Sequence, residues 1–582
     1  MSIIKELTEE LKQIVISAGY EVEELLLQPS GRKDLGQYQL NDAMMLAKKY
    51  GKNPRVIAQE IVQKLEQDER FTALNIAGPG FINITLTDAF LATSLTSLID
   101  NIQKNIDKKD YKKVILDYGG ANVSKALHVG HLRSANLGEA LKRLGTLLGY
   151  EVLGDAHLGD YGRPLGLVIL EIKKTYPNLA YFNEEYSGDY SEIELPITNE
   201  DLEKIYPLAS IKSKEDESYL EEAREITLKI QNKEKGYYEL WKRIVEISKR
   251  EIKQVYDRLN VHFELWQGES DAVTYMDELR TIFEQAGVLI ESNGAKIVEV
   301  KTATDTAPMP PLLFEKSNGT ISYETTDLAT LLERKKKFAP DEIWYCVDGR
   351  QGLHFEQVFR AARKAKLIEE NVNLEFVGFG TMNGKDGKPF KTRDGGVMTL
   401  KNLIQLVEAE TTKKITSENI LSSEREEIAS TVAIAALKYA DFLPFRGTDY
   451  IFEIEKFADL EGKTGPYLLY STIRMKSLLN KANNIKIGPI TKFKTETERD
   501  IALTILRLPL ILEKSLEAKS LNEIAEYLYK ITSLYNKFYS ENKILTEEDK
   551  ELKTSWLALT KIVYDINVLL LDTLAIKVPE KM

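Results

Sequence analysis

The stretch KKVILDYGGANVSKALHVGHLRSANLGEALKRLGTLLGYEVLGDAH, residues 112–157, decides the fold. Val114, Ile115 and Leu116 predict a buried strand, and a Gly-Gly pair then opens a loop. Leu132, Ala135, Ala140, Leu141, Leu144 and Leu148 fall largely at helical spacing before GYEVLGDAH (149–157) begins a second strand. Strand, glycine loop, helix and strand in so short a span form a βαβ unit, the opening of a doubly wound parallel sheet in an α/β protein. His128 and His131 flank Val129 and Gly130 where the first strand gives way to the helix, in a chain with only five histidines.

A helix N-terminus offers unpaired N–H groups and the positive end of a dipole, so it attracts phosphate, and imidazole N–H groups add donors. Glycine between the two rings removes the Cβ that would keep a flat base off the backbone. His128, Gly130 and His131 are therefore read as an ATP-type triphosphate site. The same spacing also suits a metal pair or a chance surface pair; the setting on the first βα turn favours the nucleotide.

Outward from this unit, residues 1–106 read as a small α+β domain. MSIIKELTEELKQIV predicts an amphipathic helix, NPRVIAQEIVQKL (53–65) a helix with an Asn-Pro start, and AGPG (77–80) a break between two short strands. Residues 107–400 read as the sheet domain, interrupted at about 171–262 by a charged helical insertion. Strand-like runs resume at AKIVEV (295–300), DEIWYCVD (341–348) and LEFVGFG (374–380) and are expected to continue the same sheet. Residues 401–582 read as an all-α bundle, with capping boxes expected at Ser520 to Glu523 and Thr546 to Asp549.

At 582 residues the chain divides into several cores, and its composition, 43% hydrophobic and 29% charged, is that of a globular protein. One cysteine, Cys346, excludes an internal disulfide framework and, with five histidines, argues against structural zinc. The absence of a long apolar run or a basic leader predicts no membrane association and a cytoplasmic location. A net charge of -12 argues against indiscriminate coating of nucleic acid, yet leaves room for local basic surface at KKDYKK (108–113), ERKKKF (333–338) and GKDGKPFKTR (384–393). Each such run is also an ordinary solvated face.

HVGH after the first strand resembles the His-Ile-Gly-His motif of class I aminoacyl-tRNA synthetases, and ANVSKALHVGHLRS is close to its form in the arginyl-tRNA synthetases. The resemblance continues in the family's order through HLGDYG (157–162), GES (268–270), YETTDLA (323–329), DGRQGLHF (348–355), GKDGKPFKTR, and ALKYADFLPFRGTDYIFEIEKFADLEGKTGPYLLY (436–470). GPGFINI (78–84) extends it into the N-terminal part. It implies a Rossmann-type catalytic domain, an N-terminal α+β domain and a helical anticodon-binding bundle. The implied reaction activates L-arginine with ATP, carried with Mg2+, to arginyl-adenylate, and then transfers the arginyl group to the terminal ribose of tRNA(Arg). The resemblance implies that activation requires cognate tRNA.

By the same resemblance, His128 and His131 bind ATP from one side and the lysine loop from the other. The family's usual Lys-Met-Ser-Lys is replaced by Lys385, Lys388 and Lys391, with Thr392 and Arg393 following, which leaves open which lysine meets the pyrophosphate. The arginine pocket takes Glu269, Tyr323 and Asp327, with Asn122 and Gln351 placing the α-amino and carboxylate ends. A planar cation needs such paired acids, because a buried guanidinium left unpaired is costly. The plain alternative for Tyr323 and Asp327 is a buried tyrosine followed by a helix-capping aspartate.

Tyr467, Tyr539 and Met582 match the anticodon side, and Phe81 and Asn83 match the domain that touches the D-loop. The bundle also carries Tyr470, Tyr527, Tyr529 and Tyr535, and tyrosines at helical spacing also serve as core. Tyr161 and Pro164 stand where the family commonly has tryptophan and glutamine, so packing beside the pocket is expected to differ. A monomer without an editing domain is expected, since a guanidinium-specific site rejects neutral analogues. Two alternatives stay open: a nucleotidyltransferase acting without tRNA, and a tRNA-binding paralogue without catalysis.

Overall fold

A computed structural model describes residues 1–32, 34–388, 398–415 and 422–582. At the N-terminus, β1 (Leu27–Pro29), β2 (Tyr38–Leu40), β3 (Phe71–Ala77) and β4 (Phe81–Leu86) form an antiparallel sheet in the order β1-β2-β4-β3. The helix Pro54–Leu65 packs on β3 and β4. It starts as expected: the Asn53 side chain accepts the Arg55 N–H at 2.9 Å, and Pro54 occupies a first-turn position where its missing N–H costs nothing.

The βαβ unit is β5 (Lys113–Tyr118), the helix Val129–Leu147 and β6 (Glu151–Asp155). Three antiparallel strands follow, β7 (Leu289–Ser292), β8 (Ala295–Val298) and β9 (Leu312–Glu315), and then β10 (Glu342–Cys346) and β11 (Asn373–Phe376). The central sheet is wholly parallel, in the order β11-β10-β5-β6. Because β6 is added on one side of β5 and β10 and β11 on the other, the winding reverses between β5 and β10. The C-terminal ends of β5 and β10, on either side of that reversal, are the place where such sheets bind ligands. Val114, Ile115, Leu116 and all of Ile343–Cys346 are buried, as strands covered on both faces require. Burial pushes the Cys346 thiol up to about 12.

AKIVEV does not join this sheet. Its Ala295–Val298 pairs with β7 and β9 instead, because Asn293 (φ 51°) and Gly294 (φ 79°) turn the chain straight back on itself. The insertion is helical, built from Asn199–Glu215, Glu217–Gln231 and Lys235–Arg258 against Arg163–Thr175.

The C-terminal bundle is helical, but both expected capping boxes are absent. Asn522–Glu541 begins after Leu521 with no side-chain cap, because Ser520 lies one residue before the cap position and its oxygen accepts the Arg446 N–H at 3.3 Å, while its hydroxyl donates to Asn522 Oδ1 (2.8 Å). Asp549 is itself the cap of Lys550–Thr573, accepting the Glu551 and Leu552 N–H groups at 3.0 and 3.1 Å, since it directly precedes the first helical residue. Among the described residues, Lys550–Thr573 alone is long and apolar enough to cross a membrane, and most of it is buried within the fold. Bundle and sheet domain are stitched together. β12 (Met382–Asn383) pairs in parallel with β13 (Tyr450–Ile451). The buried Arg133 bonds Asp441 at 2.7 Å and the carbonyls of Gly380 and Thr448 at 2.7 and 3.1 Å.

Candidate active site

His128 is the cap of the helix Val129–Leu147. Its Nδ1 accepts the Gly130 N–H at 3.0 Å, and His131 Nδ1 accepts the His128 N–H at 3.0 Å, so the two rings make a reciprocal capping box. Both Nδ1 atoms are acceptors, which leaves the proton of each neutral ring on Nε2. Burial holds both imidazoles below their ordinary pKa, aided for His128 by Lys125 and Arg350; His131, beside His128, is pushed down to about 3. Two uncharged rings with centroids 4.0 Å apart thus present Nε2–H donors at a helix start. A Cβ on Gly130 would fall 2.8 Å from His128 Cε1, so glycine is required first by the capping ring itself.

The other motifs are brought together by hydrogen bonds that extend the parallel sheet past its strands. Val123 N–H donates to Gly159 O at 3.0 Å, Leu158 N–H to Gln267 O at 2.8 Å, and Glu269 N–H to Leu158 O at 3.0 Å. Asn122 bridges Gly159 in this run. Asp160 is buried and accepts the Ser270 N–H (2.9 Å) and hydroxyl (2.6 Å). A Cβ on Gly268 would meet its carboxylate at 2.5 Å, which is why GES opens with glycine.

Glu269 begins the short helix Glu269–Ala272, and burial pushes it up to about 7. Asp160 and Asp327 push in the same direction, while His157 and Lys125 oppose them. Tyr323 opens the helix Tyr323–Phe338 with its side chain largely exposed toward Glu269 and Arg163. Asp327 lies one turn on and is no cap; Ser322 fills that role through the Thr325 N–H. Glu269, Tyr323 and Asp327 therefore converge, and a half-buried carboxyl with two further acids, Asp160 and Asp327, beside it suits a cation. Gln351 ends the turn Gly349–Gln351 after β10 and is exposed.

Lys385 pairs with Glu455 at 3.1 Å on the surface, and Lys388 closes a turn through its carbonyl to the Gly384 N–H at 2.8 Å. Lys391, Thr392 and Arg393 lie outside the described residues. Chain on both sides of the loop is anchored: Gly380 accepts from Arg133, and Leu400 N–H donates to Leu127 O at 2.8 Å, beside a bridge from His128 to Thr399.

Tyr467 and Tyr539 are half-buried on the bundle. Asn536 Nδ2 donates to Tyr467 Oη at 2.8 Å, and the Arg474 guanidinium lies over Tyr539 (4.9 Å) and Tyr470 (5.5 Å). Met582 packs against the bundle edge, whereas Tyr527 and Tyr535 are core. Phe81 is partly exposed in β4. Asn83 is fully buried, accepting from Gln39 Nε2 (2.9 Å) and donating to Asn75 O (3.2 Å), so it holds Gln39 and faces no solvent itself. Pro164 occupies the first turn of Arg163–Thr175, and Tyr161 shares a crevice with Trp241 of the insertion, whose indole donates to Asp160 O at 2.8 Å.

Sequence reasoning gave no role to Lys125, His157 or His354. Burial opposes the charged form of His157, but Asp155 lifts it to about 9, placing a cation beneath Glu269. Among the described residues, Asp117, Asp155 and His157 alone bring donor atoms close enough to share an ion. The Arg334 guanidinium already fills that place, at 2.5 Å from Asp117 and 2.7 Å from Asp155. The scarcity of histidine was the available signal: four of the five line this cleft.

Comparison with known proteins gives a consistent result. Residues 94–454 match the family described as tRNA synthetases class I (R), catalytic domain. Residues 1–86 match the arginyl tRNA synthetase N terminal domain, and 468–582 the DALR anticodon binding domain. The chain is 42% identical over 585 residues to an arginine-tRNA ligase of Alkaliphilus oremlandii and 41% identical over 596 residues to that of Agathobacter rectalis, each covering 100% of both chains. Its structure is similar to that of the arginyl-tRNA synthetase from Plasmodium falciparum (TM-score 0.80, 25% identity, 99% of both chains). It also shares its fold with the enzyme from Thermus thermophilus (TM-score 0.78, 21% identity, 100% of both chains).

Proposed function

Because the chain belongs to the arginyl-tRNA synthetases of class I, and is an arginine-tRNA ligase that charges tRNA(Arg) at the expense of ATP, we propose how its cleft divides that work. Glu269, Tyr323 and Asp327 receive the guanidinium, while Asn122 and Gln351 orient the α-amino and carboxylate ends. The carboxylate then attacks the α-phosphorus of ATP in line with the leaving pyrophosphate. Negative charge builds on the phosphates in that step, and preorganised donors stabilise it without reorganising. The Nε2–H groups of His128 and His131 and the helix start beneath Gly130 supply such donors on one side. The loop bearing Lys385, Lys388 and Lys391 supplies cations on the other. Mg2+ enters with ATP rather than in a protein cage, and no zinc takes part.

In the second step the terminal ribose hydroxyl of tRNA attacks the arginyl carbonyl and AMP leaves. Tyr467, Tyr539 and Met582 form the anticodon-side contact, where rings and the Arg474 cation suit unstacked bases. Phe81, with Asn83 behind it, contacts the tRNA from the N-terminal domain. The working division of the chain is 1–106, 107–400 and 401–582, with the insertion at 171–262, in a cytoplasmic monomer.

The observation that carries this reading is the place of Glu269, half-buried at the start of Glu269–Ala272 with Asp160, Asp327 and Tyr323 around it, where burial pushes its carboxyl up to about 7. Arginine-dependent exchange of pyrophosphate into ATP, with and without tRNA and with lysine or citrulline as competitors, tests it. Exchange driven by arginine alone among these amino acids is expected, and preference for another amino acid overturns it.

A further inference from the structure

Asp327 does not stand bare in the cleft. Its Oδ2 lies 2.5 Å from His354 Nε2. His354 is in the first turn of the helix Gly352–Lys364, three residues after Gln351, so the two share a helical face. Its ring meets Phe355 edge-on, with centroids 5.1 Å apart at 87°, and Phe355 is buried against Tyr345 and Phe376. The imidazole is thus held between Asp327 and the edge contact with Phe355.

The charged groups facing His354 are Asp327 and, on the same helix, Glu324. Other charges near its helix have partners of their own: Glu315 with Arg280 (2.7 Å), Glu375 with Lys519 (3.3 Å) and Arg350 with Asp348 (2.6 Å). Burial works against a charged His354, but the Asp327 carboxylate, with Glu324, outweighs it and raises the pKa.

We infer that His354 is a positioning residue of the arginine pocket that couples arginine binding to proton release: its imidazolium occupies Asp327 in the free enzyme and loses its Nδ1 proton to solvent when a guanidinium enters, keeping the Nε2–H bond. The inference rests on arginine binding at Asp327. An arriving guanidinium takes over the charge of Asp327 and repels the imidazolium beside it, so arginine binding and loss of that proton are linked. A neutral analogue such as citrulline brings no charge to drive the proton off, so its binding should release none from His354.

The test is the pH dependence of the KM for arginine in pyrophosphate exchange, for the wild type, His354→Gln and Asp327→Asn. Glutamine keeps an N–H donor but carries no titrating proton. Below neutrality the slope of log KM against pH should approach two in magnitude for the wild type, one proton from Glu269 and one from His354, and fall to about one for His354→Gln. Equal slopes for wild type and His354→Gln overturn the inference.

If His354→Gln does not fold, calorimetry of arginine binding to the wild type in buffers of different ionisation enthalpy decides. More than one proton released per arginine at about pH 6.5 supports the inference, and one or fewer overturns it. Asp327→Asn should raise the arginine KM far more than the ATP KM. Equal effects there would remove the pocket assignment itself, a failure distinct from that of His354.

Discussion

A carboxyl group that burial holds near neutrality has an incomplete environment, and Glu269 is such a group. On the proposed reading it is protonated below about pH 7 when free and ionised when a guanidinium binds. Arginine affinity should therefore be fully present above pH 7 and fall by at least about tenfold per unit as the pH drops below it, measured as KM between pH 6 and 8. Glu269→Gln should abolish the Glu269 share of that slope. At the other end of the cleft, His131→Ala should lower the rate of adenylate formation by about 10²–10³-fold, because its Nε2–H acts on charge that develops only during the step. Loss of its capping bond should cost about 1 kcal/mol in a thermal melt, and an unchanged exchange rate would exclude the catalytic role. The position of the two histidines at a helix start was legible, because an apolar strand, a glycine loop and a helical repeat bracket them. The pairing of His354 was not, since it is a contact with Asp327, 27 residues earlier, which no local pattern records.

Among the elements, the segments at the C-terminal edge of the sheet carry the site, and their spacing is set by close approach. Gly268→Ala should lower stability by about 1–3 kcal/mol, as overpacking does, and raise the arginine KM. The added Cβ forces Asp160 off Ser270 or pushes the backbone of Glu269 outward. A thermal melt paired with KM values for arginine and ATP checks this, and an effect confined to ATP would contradict it. The βαβ unit was readable from its periodicity because both strands and the helix bury their apolar faces against one another. AKIVEV was readable as a strand but not as a member of another sheet, since alternation reports which face is buried and says nothing of the neighbour. The caps of Asn522–Glu541 and Lys550–Thr573 were misread for a related reason: several hydroxyl and carboxylate groups stand near each start, and only the three-dimensional path selects one.

Across the whole molecule, the composition-based view of separate cores meets a connection it did not foresee. Arg133, two residues beyond His131, ties the catalytic helix to Asp441 of the bundle and to the chain that leads into and returns beside the lysine loop. Contacts between residues some three hundred positions apart leave no trace in local spacing. One further property of the central sheet can be read with a reagent. Cys346, the sole thiol in 582 residues, is wholly enclosed at the end of β10 and strongly protonated. Disulfide-exchange or alkylating dyes should leave the native enzyme unlabelled and modify it only as fast as β10 detaches, so the colour change becomes a stopwatch for a single event. Prompt stoichiometric labelling of the folded enzyme would contradict this. If substrates bind across the ends of β5 and β10 as proposed, they should slow that clock.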